Sequence, residues 1–157
     1  MTASSPVIDA FTVETVMLDL SGETKNDVLA EMVDFAVAQK ALPKARKQEV
    51  LDALVAREDR GSTGFGRGVA APHARIPGLR KSFGLVARKV DGIDYRAVDG
   101  EPVHAFVMFI SPDTKAEDHL ATLRWISVIA RDPDFLSFIR QARSEADMLE
   151  VLLERAP

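Results

Sequence analysis

The segment from His104 to Ile110 limits the folds open to this chain more than any other stretch. Its sequence, HAFVMFI, is apolar at successive positions, so both faces of an extended strand here would be apolar. A strand with two apolar faces needs cover on both sides, which places it inside a sheet with helices on each face. The segment therefore predicts a layered α/β protein with this strand near the centre of the sheet.

Three further strands are predicted from short apolar runs. They cover about 15–20, 83–90 and 93–96, and Asp-Gly pairs at 91–92 and 99–100 supply turn signals between the later strands. Because such turns join neighbouring antiparallel strands while other connections run through helices, we expect mixed pairing in the sheet.

Apolar residues at helical spacing predict five helices, two before the glycine-rich region and three after the central strand. Thr24 and Ser144 suit N-cap positions, and Pro43 suits the first turn of the second helix. A helix opened by Ser111 to Asp113 carries His119 near its beginning. The expected fold is a single-domain α/β sandwich with a mixed β-sheet flanked by helices.

Length and composition fit one folded domain. The chain has 157 residues, of which 46% are hydrophobic and 28% charged, and it shows no break in composition. Residues 1–10, MTASSPVIDA, are mostly small and polar and are expected to form a flexible lead-in. Residues 11–156 are expected to form the domain.

Charge and residue content exclude several classes of function. A net charge of −4 argues against a broad nucleic-acid surface, and the lack of cysteine excludes thiolate chemistry and Cys-ligated metals. No apolar run approaches the ~20 residues that span a bilayer, and the first residues lack a secretory signal. We therefore expect a cytoplasmic protein that is not embedded in a membrane.

Common nucleotide, hydrolase and metal motifs are not present either. The glycine-rich run lacks the GKS or GKT ending of a P-loop and the GxGxxG spacing at a strand-to-helix turn. No serine stands in GxSxG, and the histidines do not form HExxH or another compact metal spacing. No metal or other cofactor is expected.

Histidine is the residue type best suited to chemistry here, because a neutral ring nitrogen can attack phosphorus near pH 7. His73 follows Pro72 and glycines at 61, 64, 66 and 68, so backbone N–H groups could reach a phosphate there, or Ala-Pro-His is only a turn. His119 is either an ordinary residue at the edge of an apolar helix face or a second imidazole that hydrogen-bonds a phosphoryl group. His104 is assigned a structural role.

Three polar residues ahead of His73 are candidate phosphate ligands. Arg57 ends a predicted helix just before the glycines, where its guanidinium could contact phosphate oxygens or remain a solvated surface group. Ser62 and Thr63 could donate hydroxyl hydrogen bonds to the same phosphate, or they could cap the turn in which they lie.

Four ordered segments carry a resemblance to a known family. They are ArgGlu at 57–58, GSTGFGRGVAAPH ending at His73, DGEPVHAFVMFISP, and DHLATL, which contains His119. In this combination the chain resembles the enzyme IIA domains of the bacterial phosphoenolpyruvate-dependent sugar phosphotransferase system. The resemblance is to the mannitol/fructose class, which includes nitrogen-related regulatory proteins, and it spans nearly the whole chain.

The resemblance implies a phosphocarrier. His73 would be phosphorylated at Nε2, with His119 as its companion and Arg57 in the same pocket, and a backbone carbonyl could hold the other ring nitrogen protonated. The phosphoryl donor would be HPr or a nitrogen-branch analogue, and the acceptor an IIB sugar-transporter component. Ala74, followed by Arg75, departs from the glycine or threonine often found after the active histidine.

A second function fits the same residues. In it the protein is a regulatory binding module, and phosphorylation of His73 switches the surface offered to a regulatory target protein. A degenerate relative without phosphotransfer is a third alternative, which the presence of Arg57, His73 and His119 disfavours.

Overall fold

Within residues 9–156, which the computed structural model describes, one mixed sheet of six strands lies between two layers of helices. The strands are β1 (Val16–Met17), β2 (Gly64–Gly66), β3 (Val69–Ala70), β4 (His73–Ile76), β5 (Phe83–Ile93) and β6 (Val103–Pro112). The longer helices are α1 (Lys25–Ala38), α2 (Lys47–Asp59), α3 (Ala116–Arg131), α4 (Pro133–Gln141) and α5 (Glu145–Leu153).

Strand β6 is the centre of the sheet. The strand order is β1-β5-β6-β3-β2, with β5 antiparallel to β6 on one edge. Strands β3 and β4 both pair in parallel with the other edge, where Val69 pairs with Ala105 and His73 with Phe109. The sheet is therefore mixed, and the site histidine starts a strand that contacts the central one.

Both faces of β6 are buried, as its sequence predicts. Phe106, Met108 and Ile110 pack in a first core cluster with α1 and α2. Val107 and Phe109 point to the opposite face and pack in a second cluster with the helices that follow β6. The predicted sandwich of a mixed sheet flanked by helices is confirmed.

Local signals at helix starts are confirmed as well. Thr24 Oγ1 accepts a hydrogen bond from Asp27 N at 3.1 Å, and Ser144 Oγ accepts one from Asp147 N at 3.1 Å, so both residues are N-caps. The helix expected to open at residues 111–113 begins slightly later, at Ala116. A turn precedes it, in which Lys115 N donates a hydrogen bond to Pro112 O.

The separate strand predicted at 93–96 is wrong. Strand β5 passes through an irregularity after Arg88 and continues to Ile93, and the following residues form a loop. Arg96 has a φ of 56°, which interrupts an extended backbone, and the fully buried Tyr95 anchors the loop in the first cluster. The apolar residues of this segment therefore report burial of a loop.

The lead-in predicted over residues 1–10 overlaps the described part of the chain only at its last two residues. Residues 1–8 of that prediction lie outside the described part of the chain. Ala10 is helical and buried, and the neighbouring Phe11 stacks on Phe109 with ring centroids 6.4 Å apart. Ala10 therefore belongs with the folded domain. No helix within residues 9–156 has the length and apolar character needed to cross a membrane.

Candidate functional site

A cleft of about 720 Å³ opens where the end of α2, the start of β4 and the first turns of α3 meet. Arg57, His73 and His119, which are far apart in sequence, line it together. The topology explains the meeting, because β4 pairs with the end of β6 and α3 starts just after that end. The structure thus brings the three principal predicted site residues to one place.

His73 is half-buried at the first position of β4, with its ring in a defined orientation. Its Nδ1 lies 2.8 Å from the carbonyl oxygen of Ala71. Because a carbonyl oxygen can only accept, Nδ1 carries the proton and Nε2 keeps a free lone pair. Arg57 Nε donates to this Nε2 at 3.3 Å.

The surroundings favour the neutral form of His73. Burial is the main cause that lowers the pKa of His73 below its usual 6.5, and the nearby positive charge of Arg57 acts in the same direction. The hydrogen bond to Ala71 opposes this shift only in part. A neutral ring with an unprotonated Nε2 is the form that can act as a nucleophile.

Arg57 is fixed at the end of α2 by two contacts. Besides donating to His73, it donates through Nη1 to the carbonyl oxygen of Gly61 at 2.7 Å. The first glycine of the run therefore helps to hold the guanidinium beside Nε2 of His73. The side chain is not a freely solvated surface group, which was the alternative interpretation of this residue.

His119 lies in the first turn of α3 and faces His73. The two ring centroids are 5.5 Å apart, and the His119 ring also packs against Phe109. Its Nδ1 is 2.6 Å from Oγ of the fully buried Ser111. Burial, followed by the nearby charges of His73 and Arg75, lowers the pKa of His119 to about 4, so this ring is neutral at pH 7.

Ser62 and Thr63 are not brought to the cleft, contrary to their predicted role as phosphate ligands. Ser62 Oγ accepts from Gly64 N at 3.0 Å and donates to the Tyr95 carbonyl, which matches the alternative of a residue that caps its turn. Thr63 is buried and its hydroxyl donates to the Glu58 carboxylate. Both hydroxyls are therefore engaged in holding the loop.

The glycine-rich run does not form a phosphate cradle in this structure. It folds into the β2–β3 hairpin, whose strands pair Gly64 with Ala70 and Gly66 with Val69. None of its glycines lines the cleft. Its contribution to the site is indirect, since the hairpin leads directly into the strand that starts at His73.

A buried polar network beside the site was not predicted from the sequence. Glu58 accepts from Thr63 N at 3.0 Å and from Lys25 Nζ at 3.1 Å, and Lys25 also lies over the Tyr95 ring. Burial, followed by the charge of Glu58, raises the pKa of the Tyr95 hydroxyl. The network ties α1 and the loop after Arg57 to the end of α2.

The residues that the sequence analysis missed are connected through tertiary contacts. Ser111 meets His119 only because the chain turns between β6 and α3, and Lys25 meets Glu58 across two helices. For this network the sequence offered one signal, the ArgGlu pair at 57–58, which drew attention to Glu58 but did not indicate what its carboxylate contacts. His104, assigned a structural role, lies outside the cleft with Nδ1 3.2 Å from Val90 O.

His73 and His119 lie in the cleft while His104 lies near the start of the central strand β6, so the three histidines do not form a metal centre. Within residues 9–156, no three His, Asp or Glu side chains are grouped so that they could hold a metal ion. The charged groups that line the cleft are three arginines and a single carboxylate, that of Asp113. The arrangement is suited to an anion.

Comparison with known proteins shows which family the chain resembles over most of its length. Residues 9–155 match the family model described as "Phosphoenolpyruvate-dependent sugar phosphotransferase system, EIIA 2". Among curated relatives, a nitrogen regulatory protein of Bradyrhizobium diazoefficiens is 33% identical over 147 residues, which cover 94% of each chain. The match therefore extends over almost the whole of both proteins.

Solved structures share the fold. The nitrogen regulatory protein IIA-Ntr of Neisseria meningitidis superimposes with a TM-score of 0.85 at 24% identity, covering 93% of this chain and 98% of that one. The mannitol enzyme IIA of Escherichia coli, solved in complex with phosphorylated mannitol enzyme IIB, gives a TM-score of 0.73 at 13% identity, with 92% and 97% coverage.

Proposed function

Because this chain belongs to the EIIA 2 family of the phosphoenolpyruvate-dependent sugar phosphotransferase system, we propose that it carries a phosphoryl group on His73. The family membership makes it a component of a phosphotransferase system. The proposal adds the residue, the donor and the direction of transfer. One observation carries it: the hydrogen bond from Nδ1 to Ala71 O leaves Nε2 of His73 unprotonated at the cleft.

The proposed step is a direct transfer between two imidazole rings. The Nε2 lone pair of His73 attacks phosphorus on a donor phosphohistidine, and the donor P–N bond breaks with its electrons remaining on the donor nitrogen. His73 becomes an imidazolium that bears the phosphoryl group on Nε2 and keeps its Nδ1 proton. That proton, shared with Ala71 O, stabilises the positive ring, so the step moves no other proton.

Arg57 and His119 are proposed to stabilise the transferred group. Arg57 Nε, which donates to Nε2 at 3.3 Å in this structure, turns from the ring to a phosphoryl oxygen as the new bond forms. If Ser111 donates to Nδ1 of His119, the His119 proton lies on Nε2, where a neutral ring can donate it to the phosphoryl group. The low pKa of His119 supports this neutral donor.

The proposed phosphoryl donor is an HPr-like carrier protein, either HPr or its nitrogen-branch analogue. The proposed acceptor is an IIB sugar-transporter component, an assignment supported by the family description and by the related mannitol enzyme solved with phosphorylated IIB. The cytoplasmic location expected from the sequence is part of the same proposal.

A regulatory role is the second candidate, and a separate observation favours it. The nitrogen regulatory relative of Bradyrhizobium diazoefficiens is 33% identical with 94% of each protein covered, against 30% identity for the fructose-like EIIA component of Escherichia coli. In this alternative the phosphoryl group stays on His73 as a signal, and its charge changes which target protein binds. The chemistry at His73 is the same in both candidates.

Uptake of phosphate tests the proposal. We expect the protein to gain an acid-labile, base-stable phosphoryl group when it is incubated with phosphoenolpyruvate, enzyme I and HPr, or with the nitrogen-branch pair. His73→Ala removes the nucleophile and should take up none, as measured by intact-protein mass spectrometry. His104→Gln is the matched control, because it removes a histidine outside the cleft, and it should be labelled like the wild type.

Two results would contradict the proposal. One is the absence of labelling of the wild-type protein by every competent carrier pair, and the other is labelling of His73→Ala to the wild-type level. His119→Ala should be labelled more slowly while its circular dichroism spectrum stays unchanged. Loss of the folded spectrum in that variant would indicate that His119 serves the core.

A further inference from the structure

The loop of residues 60–63 joins α2 to β2 and carries the carbonyl group that holds Arg57. Arg57 Nη1 donates to Gly61 O at 2.7 Å, and the same guanidinium donates through Nε to His73 Nε2 at 3.3 Å. The position of the guanidinium beside His73 therefore depends on where this loop places a single carbonyl oxygen. What fixes the loop also fixes Arg57.

A buried contact closes this loop. Glu58, in the last turn of α2, accepts two hydrogen bonds from Thr63, one from its backbone N at 3.0 Å and one from its hydroxyl. We call these two hydrogen bonds the Glu58–Thr63 bridge. Glu58 is 7% exposed and Thr63 is 3% exposed, so water competes little for the bridge. It joins the residue after Arg57 to the residue before β2, with Gly61 between them.

Two further side chains hold the bridge in place. Lys25 Nζ lies 3.1 Å from the Glu58 carboxylate and 4.3 Å from the centre of the Tyr95 ring. The Thr63 hydroxyl gives its one proton to the carboxylate, so the Tyr95 hydroxyl, 3.4 Å away, is the donor to Thr63 Oγ1. The buried carboxylate thus has a compensating charge and hydrogen-bond donors, which a buried charge requires.

The backbone at Gly61 is the second feature that directs the carbonyl group. Its φ is 142°, a conformation that residues with a side chain rarely adopt. A Cβ atom built there would meet no other atom within 4 Å, so the conformation and not a lack of space is what favours glycine. The bridge fixes the two ends of the loop, and the glycine allows the turn between them.

From this geometry, and resting on the proposed phosphorylation of His73, we propose that Glu58 and Thr63 are positioning residues for phosphoryl transfer. Neither residue lines the cleft, and both act through Arg57. Their bridge holds Gly61 O where it directs the Arg57 guanidinium to the nitrogen that attacks phosphorus. A donor that is in place before the reaction stabilises the transferred group without having to be ordered during the step.

Thr63→Val tests the bridge, because it removes the hydroxyl while keeping the branched shape and every charge. Phosphoramidate is the phosphoryl donor: its P–N bond breaks and ammonia leaves as the bond to Nε2 of His73 forms, so no carrier protein has to dock. We expect uptake, followed by mass spectrometry, to be slower by roughly tenfold, since loss of a whole preorganised donor costs about 10²–10³ in rate. Thr63→Ser restores the hydroxyl and should recover most of the rate.

The matched control is Thr15→Val. It removes the hydroxyl of another buried threonine, which donates to Thr12 O and lies outside the cleft. Its rate of uptake should equal that of the wild type.

A double-mutant cycle separates positioning from general damage. Arg57→Ala removes the group through which the bridge is proposed to act, so adding Thr63→Val to it should slow uptake no further. A bridge that only supports the fold would slow uptake by the same factor in both backgrounds.

Titration of the His73 ring by NMR gives a second readout that needs no phosphoryl transfer. Burial is the main cause that lowers the pKa of His73, and the charge of Arg57 acts in the same direction. Thr63→Val keeps Glu58 and Arg60, the other charged groups that act on the ring, and frees the guanidinium to move away. We therefore expect the pKa of His73 to rise in Thr63→Val, and not to rise further when this change is added to Arg57→Ala.

Gly61→Ala tests the same inference from the backbone, should Thr63→Val fail to fold. Its side chain has room, so its effect is through φ alone, and we expect slower uptake and a raised pKa of His73 again. Wild-type rates in Thr63→Val and Gly61→Ala, equal losses in both backgrounds of the cycle, or an unchanged pKa of His73 would overturn the inference. Failure of every donor to label the wild type would overturn the proposed function and with it any role in transfer, while the titration still decides whether the bridge holds Arg57 at the ring.

Discussion

At the residue level, His119 makes the stability of the protein depend on pH. Its side chain is 5% exposed, and its pKa is lowered to about 4 from the usual 6.5, mainly by burial. Below pH 6.5 the unfolded chain therefore binds a proton at this residue more readily than the folded protein does. The contribution of the neutral ring to stability is complete above pH 6.5 and is lost as the pH falls towards 4.

Replacing this ring should flatten the pH profile of stability. For His119→Asn we expect the drop in unfolding free energy between pH 7 and about pH 4.5 to be smaller than in the wild type by on the order of 2 kcal/mol. Urea unfolding at a series of pH values measures it. His104→Asn, a change at a half-exposed histidine outside the cleft, should keep the wild-type profile. Parallel profiles for wild type and His119→Asn would contradict the prediction.

Sequence patterns indicate which residues gather at the candidate site better than they indicate what each of those residues contacts. His73, His119 and Arg57 were predicted as one site, and the structure brings them to one cleft, while their roles in transfer stay predictions. Ser62 and Thr63 carry the right functional groups, but the fold directs their hydroxyls to local partners. Hydroxyl direction depends on the hairpin and on the buried Glu58, neither of which a motif describes.

At the level of secondary-structure elements, Arg88 joins the sheet to the end of a helix. It lies on β5 and is 9% exposed, and its Nη1 donates to the carbonyls of Ile139 and Ala142 at 3.0 and 2.7 Å. Its Nε donates to Leu18 O at 3.0 Å. The last turn of a helix leaves carbonyl groups without partners, and here one guanidinium satisfies those at the end of α4.

Removing this guanidinium should be costly. We expect Arg88→Met to lower the free energy of unfolding by at least about 2 kcal/mol, because buried carbonyls would lose their donor while most of the side-chain volume remains. Chemical denaturation gives this value. Arg140→Met, an exposed change on α4 itself, is the control and should stay within about 0.5 kcal/mol of wild type. A loss no larger than that of the control would sink the idea.

Helices and strands are predicted correctly where the local residue pattern determines them. The prediction fails where an element forms only through pairing with a distant strand. The β6 segment carries its own signal of two apolar faces, and the caps at Thr24 and Ser144 depend on residues three positions apart. Strand β4 gives no such local signal, because its four residues become a strand through pairing with the end of β6. The same dependence on distant contacts explains why Tyr95 lies in a buried loop.

At the level of the whole molecule, the two core clusters should unfold together. They lie on opposite faces of one sheet, and each is built on alternate residues of the same strands, β5 and β6, so neither face can be kept if those strands separate. The single tryptophan, Trp125, belongs to the second cluster and reports on that face. Met32, which is fully buried, belongs to the first.

A substitution that destabilises the first cluster should therefore also lower the unfolding midpoint measured by a probe in the second cluster. Met32→Ala is expected to cost roughly 2–5 kcal/mol, the range for deletion of a buried large side chain. Trp125 fluorescence and far-UV circular dichroism should move to the same new midpoint in urea. Val128→Ala, at an exposed position of α3, should leave both midpoints nearly unchanged. Separate midpoints for the two probes in Met32→Ala would show that the faces unfold independently.

The central position of β6 also determines when the fold can be completed on the ribosome. In the part of the chain that the structure describes, strands β3 and β4 have their parallel partner only in residues 103–112, and β1 pairs only with β5. A nascent chain that ends before residue 103 has already released α1 and α2, whose apolar sides have no complete sheet to cover them. Closure of the sheet, and with it the placement of His73 opposite His119, is therefore an event late in synthesis.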